Sequence, residues 1–119
     1  MQYLLLIYGV EAEWAKVNPA EMESIHKEYR QLMGQLSESG KFLGGSQLKP
    51  VESATTVRVR DGKRLITNGP FAETKEQLGG YFLVDVSDLD EALAIAARIP
   101  SARNGSIEVR PLIPRPPVK

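Results

Sequence analysis

Cysteine is absent from this chain of 119 residues. That removes structural disulfides, CxxC redox chemistry, thiolate nucleophiles and sulfur-ligated metal sites. Histidine is nearly absent as well: His26 is the sole imidazole, one histidine does not establish a metal site, and no metal is expected. Neither sign of charge is in excess. Lys plus Arg and Asp plus Glu number 15 each, for a formal net charge of zero, which leaves no global attraction toward nucleic acid or anionic membranes. GxGxxG and GxxxxGK[ST] are both missing, so the common nucleotide fingerprints are excluded and no cofactor is expected. Long apolar runs are lacking too. The opening MQYLLLIY has no basic leader and is far shorter than the roughly 20 residues of a bilayer span. It reads as a strand. A cytoplasmic protein without membrane or nucleic-acid partners is the expectation, so the Asn-Gly-Ser sequon at Asn104 carries no glycosylation meaning.

The pattern that remains fits a single domain over 1–111, followed by a proline-rich tail over 112–119 that cannot continue a sheet. Gln2 to Tyr8 is apolar on both alternate faces and predicts a central strand covered on two sides. Asn18-Pro19-Ala20-Glu21 predicts a helix start, with Asn18 as cap, Pro19 at the first turn and Glu21 completing a capping box. Met22, Ile25, Tyr29, Leu32, Met33 and Leu36 then form one apolar stripe, and Gly40 ends the helix. Lys41 to Leu48 reads as a short strand interrupted by Gly44-Gly45. Ala54 to Arg60 and Lys63 to Thr67 read as strands joined by an Asp61-Gly62 hairpin turn. Gly80 to Val86 reads as a further apolar strand; if the loop before it is only solvated, Thr74 to Gln77 forms one helical turn. Ser87 or Asp88 caps a second helix that packs through Leu89, Ala92, Leu93, Ala96 and Ile99 and stops at Pro100. Ser106 to Arg110 makes a last strand.

This order predicts an α+β fold of the split βαβ, ferredoxin-like kind, one sheet with both helices on one face. The other sheet face would then exceed a normal exposed apolar patch, and face-to-face pairing of two subunits covers it. A homodimer with a small-molecule pocket among helix ends, loops and sheet is the expected architecture.

Several residues carry candidate chemistry, each beside a plainer reading. His26 is the only side chain with an ordinary pKa near neutrality. It stands at the shoulder of the apolar stripe, either at a cleft rim or as a boundary histidine serving packing and solvation. Asn68-Gly69-Pro70-Phe71 is a rigid turn. It either presents Asn68 and Glu73 to a pocket, with Phe71 as an apolar anchor, or is a solvated loop. Arg58, Arg60, Lys63 and Arg64 surround the hairpin, where they suit a carboxylate substrate or a phosphate backbone, or simply guard a sheet edge. Gly79-Gly80 permits a bulge or a close approach at a strand entrance. Tyr8, just before Gly9 at a strand end, is a candidate pocket donor.

The blocks YLLLIYG, ATTVRVRDGK, NGPFAETKEQLGGYFLVDV, DLDEALAIAARIP and GSIEVRP together resemble the YCII-related, DGPF-domain family across nearly the whole chain. The resemblance implies a ferredoxin-like subunit in a dimeric α/β barrel. It also implies a small pocket in which a histidine and an aspartate act, dehydrochlorinase activity in some relatives, and association with extracytoplasmic-function sigma factors in others. The aspartate of DGPF is Asn68 here, which can orient a ligand but cannot serve as a carboxylate base. His26 matches the helix that supplies histidine in some relatives, and Glu73 is the nearest carboxylate in sequence. The expected site is therefore His26, Asn68 and Glu73 for chemistry, with Tyr8, Arg58 and Phe71 contacting substrate. One functional expectation is a cofactor-independent lyase or isomerase acting on small organic acids or aromatics. The other is a noncatalytic ligand-binding or regulatory dimer tied to sigma-factor signalling.

Overall fold

The computed structural model describes residues 1–116 of the chain. A four-stranded antiparallel sheet is built from β1 (Gln2–Gly9), β2 (Phe42–Gln47), β5 (Gln77–Asp85) and β6 (Ser106–Pro111), in the order β2-β5-β1-β6. Two long helices, α2 (Pro19–Glu38) and α3 (Leu89–Arg98), complete the split βαβ arrangement of an α+β ferredoxin-like fold. A second, two-stranded ribbon of β3 (Thr55–Arg60) and β4 (Lys63–Asn68) is inserted between β2 and β5. None of the helices among the described residues is long and apolar enough to cross a membrane.

Local chemistry explains most boundaries. The Asn18 side chain accepts the Glu21 N–H at 2.8 Å, and its amide donates to the Glu21 carboxylate at 3.1 Å. Glu21 thus returns to the cap side chain rather than to the cap N–H of the predicted box. Gly40, at φ +73°, closes α2 in a Schellman motif, with Lys41 N–H on Leu36 C=O at 2.8 Å and Gly40 N–H on Ser37 C=O at 3.1 Å. Asp88 caps α3 through the Glu91 N–H at 2.9 Å. The ribbon turns at Asp61 and Gly62, both with positive φ, as a two-residue type I′ connection requires.

The core lies between one sheet face and the two helices. Tyr3, Leu5 and Ile7 of β1 and Phe82 and Val84 of β5 meet Leu32 and Leu36 of α2 and Ala92, Ile95, Ala96 and Ile99 of α3. Strand periodicity sends Leu4, Leu6, Tyr81 and Leu83 to the opposite face, where they are half-buried. Within the chain, β1 is central and helices cover one of its faces, both as expected. The packing phase of α3 differs from expectation. Ile95 points inward, while Leu89 and Leu93 are exposed, because the stripe that meets the sheet runs Ala92–Ile95–Ala96–Ile99.

Two further differences concern the segments around the sheet end. Thr74 to Gln77 makes no helical turn; Gln77 already pairs with Gly9 and opens β5. The register shift between Ile7 and Tyr8 accommodates this longer strand. A short helix α1 (Glu11–Trp14), not foreseen from the sequence, turns the chain immediately after β1. At the other terminus, Leu112 donates its N–H to Gln2 C=O at 3.0 Å, while 113–116 have no regular structure. Of the predicted tail, 117–119 lie outside the described residues.

Candidate functional site

The N-terminal half of α2 does not pack down on the sheet, and a cavity of about 690 Å³ lies between them. Its origin is the loss of side chains on the sheet floor. By strand register Gly80 pairs with Ile7 and Gly45 pairs with Phe82, so both face the helices. A Cβ at Gly45 would stand 2.6 Å from Tyr81 C=O, and one at Gly80 would stand 3.0 Å from Ser46 C=O. Close strand approach excludes a side chain at Gly45 and crowds one at Gly80, and the space above these two glycines is part of the chamber. The apolar stripe of α2 accordingly divides: Leu32 and Leu36 are core, whereas Met22, Ile25, Tyr29 and Met33 line the cavity.

Aromatic and aliphatic groups form most of the wall, with Trp14 from α1 and Phe82 from β5 facing the helix. The Tyr29 ring meets Phe82 edge-on, centroids 6.2 Å apart at 74°. A few polar groups interrupt this surface. His26 and Arg30 stand one turn apart on α2, both toward the cavity and both exposed at its rim. Arg30 also meets Glu23 at 3.0 Å. Tyr8 joins them from the end of β1. Deeper, the Tyr29 and Ser101 hydroxyls share a hydrogen bond of 2.6 Å. Burial raises the Tyr29 phenol above its ordinary value of 10, more than the Ser101 bond and nearby Arg103 lower it. Behind them Arg103 grips Glu28 through two nitrogens at 2.7 and 3.1 Å, and that bond holds the Glu28 carboxyl below its ordinary range.

A clasp at the sheet end braces the opening. Gln77 Oε1 accepts the Glu11 N–H, and the Glu11 carboxylate accepts the Val51 N–H, each at 3.0 Å. This ties α1 to the first residue of β5 and to the 3-10 turn at Val51–Ser53 that leads into the ribbon.

Of the six expected site residues, His26 and Tyr8 line this cavity, while Asn68, Glu73, Arg58 and Phe71 do not. Asn68 ends β4 at the root of the ribbon, paired with Thr55. Arg58 is exposed on β3, Glu73 is exposed in the following loop, and Phe71 is 78% exposed. The turn is fixed as its residues suggested: Gly69 has φ +96°, its N–H reaches Ala54 C=O at 2.7 Å, and its C=O accepts the Thr56 hydroxyl. These bonds hold it to β3 of the ribbon. Sequence reasoning missed Arg30, Trp14, Glu11 and Ser101. Four-residue spacing from His26 was a usable signal for Arg30; Ser101 is placed by a tertiary contact that no local pattern announces.

A family model described as the YCII-related domain matches residues 1–115. An uncharacterized protein of Rhizobium meliloti (strain 1021) is 38% identical over 114 residues, spanning 94% of this chain and 92% of that protein.

Proposed function

From the chain's membership in the YCII-related family, whose function is not established, together with the cavity it encloses, we propose a homodimeric small-molecule protein acting as a cofactor-independent lyase or isomerase on small organic acids or aromatics. The supporting observation is that His26, Arg30 and Tyr8 line a largely apolar chamber of about 690 Å³, a volume within the range of small-ligand sites. Arg30 holds a carboxylate at the rim. The apolar wall receives the carbon skeleton. His26 removes and returns a proton, and the Tyr8 and Tyr29 hydroxyls stabilise the developing oxyanion. The half-buried apolar face of Leu4, Leu6, Tyr81 and Leu83 supports the dimer, because among the described residues the helices pack on the other face.

A noncatalytic ligand-binding role is favoured by a different observation. Among the described residues the carboxylates expected near His26 are placed elsewhere: that of Glu11 is committed to Val51, and Glu73 lies outside the cavity wall.

Phenylpyruvate, an aromatic oxo acid with exchangeable carbon-bound protons, separates the two readings. Deuterium incorporation followed by NMR should be accelerated by the unaltered protein. His26→Gln should reduce that acceleration by about 100-fold or more with the dissociation constant nearly unchanged, and Arg30→Gln should weaken binding by about tenfold. Binding without accelerated exchange selects the ligand-binding reading. Equal exchange by His26→Gln and the unaltered protein removes His26 from the chemistry.

A further inference from the structure

We infer that the β3–β4 ribbon is an arm received by a second copy of this chain, its basic residues lying against residues 11–23 of that copy at the rim of the cavity. The arm depends on the pairing of copies proposed above and is independent of the chemistry proposed for His26.

Two strands alone are marginal in water, yet the body of the chain does not cover these. All six residues of β4 are exposed. Val57, Val59 and Ile66 share one face of the ribbon by register and are 60%, 61% and 60% exposed. The chain also departs from a compact shape. The radius of gyration is 16.5 Å, where about 13–14 Å suits a compact chain of this length.

Charge identifies the occupant. Segment 55–68 carries Arg58, Arg60, Lys63 and Arg64 against Asp61 alone, a net +3. Segment 11–23 carries Glu11, Glu13, Glu21 and Glu23 against Lys16 alone, a net −3. The two segments are equal and opposite in net charge, and the remaining residues sum to zero. These two segments do not pair within one chain. Among the described residues, no ion pair involves the four ribbon cations, and only Glu23 of the four acids has a cationic partner. Two ribbons of like charge repel one another, so ribbon-to-ribbon pairing is disfavoured and the acidic rim of a second copy is the complementary surface. Two-fold symmetry lets both arms be received at once; Arg58, Arg60 and Lys63 share the face set against the acidic segment, while Val57, Val59 and Ile66 share the other face with Arg64.

Zero-length carbodiimide cross-linking tests this on the unaltered full chain, using an equimolar mixture of isotopically light and heavy protein and mass spectrometry of the linked peptides. The expected result is Lys63 joined to Glu13, Glu21 or Glu23 as mixed light–heavy pairs. In parallel, sedimentation velocity at low salt should show self-association weakened at least tenfold by Arg58→Glu/Arg60→Glu/Arg64→Glu. Mixing that variant with Glu13→Lys/Glu21→Lys/Glu23→Lys should restore association. All six positions are exposed, and circular dichroism checks that both variants keep the fold. Links confined to light–light and heavy–heavy pairs, no link from Lys63 to 11–23, or a chain that stays monomeric overturns the inference. A dimer indifferent to reversal of the ribbon charges also overturns the arm, while leaving pairing through the sheet face standing.

Discussion

Removing the Tyr29 hydroxyl tests whether the back of the cavity is held by a buried polar contact. Tyr29→Phe keeps the ring and its edge-on packing against Phe82 and deletes only the oxygen that meets Ser101 at 2.6 Å. Ser101 is 4% exposed, so its hydroxyl loses its side-chain partner where water reaches poorly, at a cost of about 1–3 kcal/mol. Ser101→Ala orphans the other partner, but Tyr29 faces the cavity, where water can replace serine; about 0.5–1.5 kcal/mol is expected. The double variant leaves neither group unpaired. It should therefore lose less than the two single losses added together, with a coupling of about 1 kcal/mol. Urea unfolding of the four proteins, followed by circular dichroism at neutral pH, measures the cycle. Strict additivity would refute the assigned contact. The same pair makes an alkaline prediction. Burial holds the folded phenol above 10, so the unfolded chain releases this proton first. The associated stability is full below pH 10 and is lost as pH rises beyond it. Tyr29→Phe should decline less steeply there than the unaltered protein, and identical declines would count against the burial of the phenol.

Leu5 is 0% exposed at the centre of the core, so Leu5→Ala should cost about 3–5 kcal/mol in equilibrium unfolding. A loss below 1 kcal/mol would contradict that packing. Gly45→Ala places a methyl 2.6 Å from Tyr81 C=O and should destabilise by about 1–3 kcal/mol; a neutral result in the same assay would mean that β2 and β5 can separate there without loss. The Glu28 and Glu91 carboxyls are held below their ordinary values first by hydrogen bonds from Arg103 and Lys41. Their contribution is present above the ordinary carboxylate range and is lost as pH falls through the lowered folded value. Glu28→Gln should therefore shallow the fall of the urea midpoint on acidification, and an unchanged acid limb would show that the pair with Arg103 contributes nothing.

Periodicity and caps made most of the fold legible because they are local. Asn18, Gly40, Asp88 and the Asp61-Gly62 turn all act through bonds within a few residues. The errors arose where partners are distant. The α3 phase depended on which of Leu93 and Ile95 the sheet would accept. α1, with four residues, is too short for a hydrophobic period. In the site, His26 and Tyr8 could be nominated from a stripe edge and a strand end. Arg30 followed from the same helical geometry but was passed over, and Ser101 had no signal at all.

The two glycine pairs link these successes and failures. Read as sequence, Gly44-Gly45 and Gly79-Gly80 could be called an interruption and a bulge, both statements about backbone. Their larger effect is on volume. Register places one member of each pair beneath the N-terminal half of α2, and that half of the stripe therefore faces empty space while Leu32 and Leu36 remain core. A helix that is amphipathic along its whole length can thus supply packing at one end and a ligand wall at the other. The choice is made by the opposing strands. The stripe alone could not reveal it, since Met22 and Leu36 satisfy the same helical period for different physical reasons.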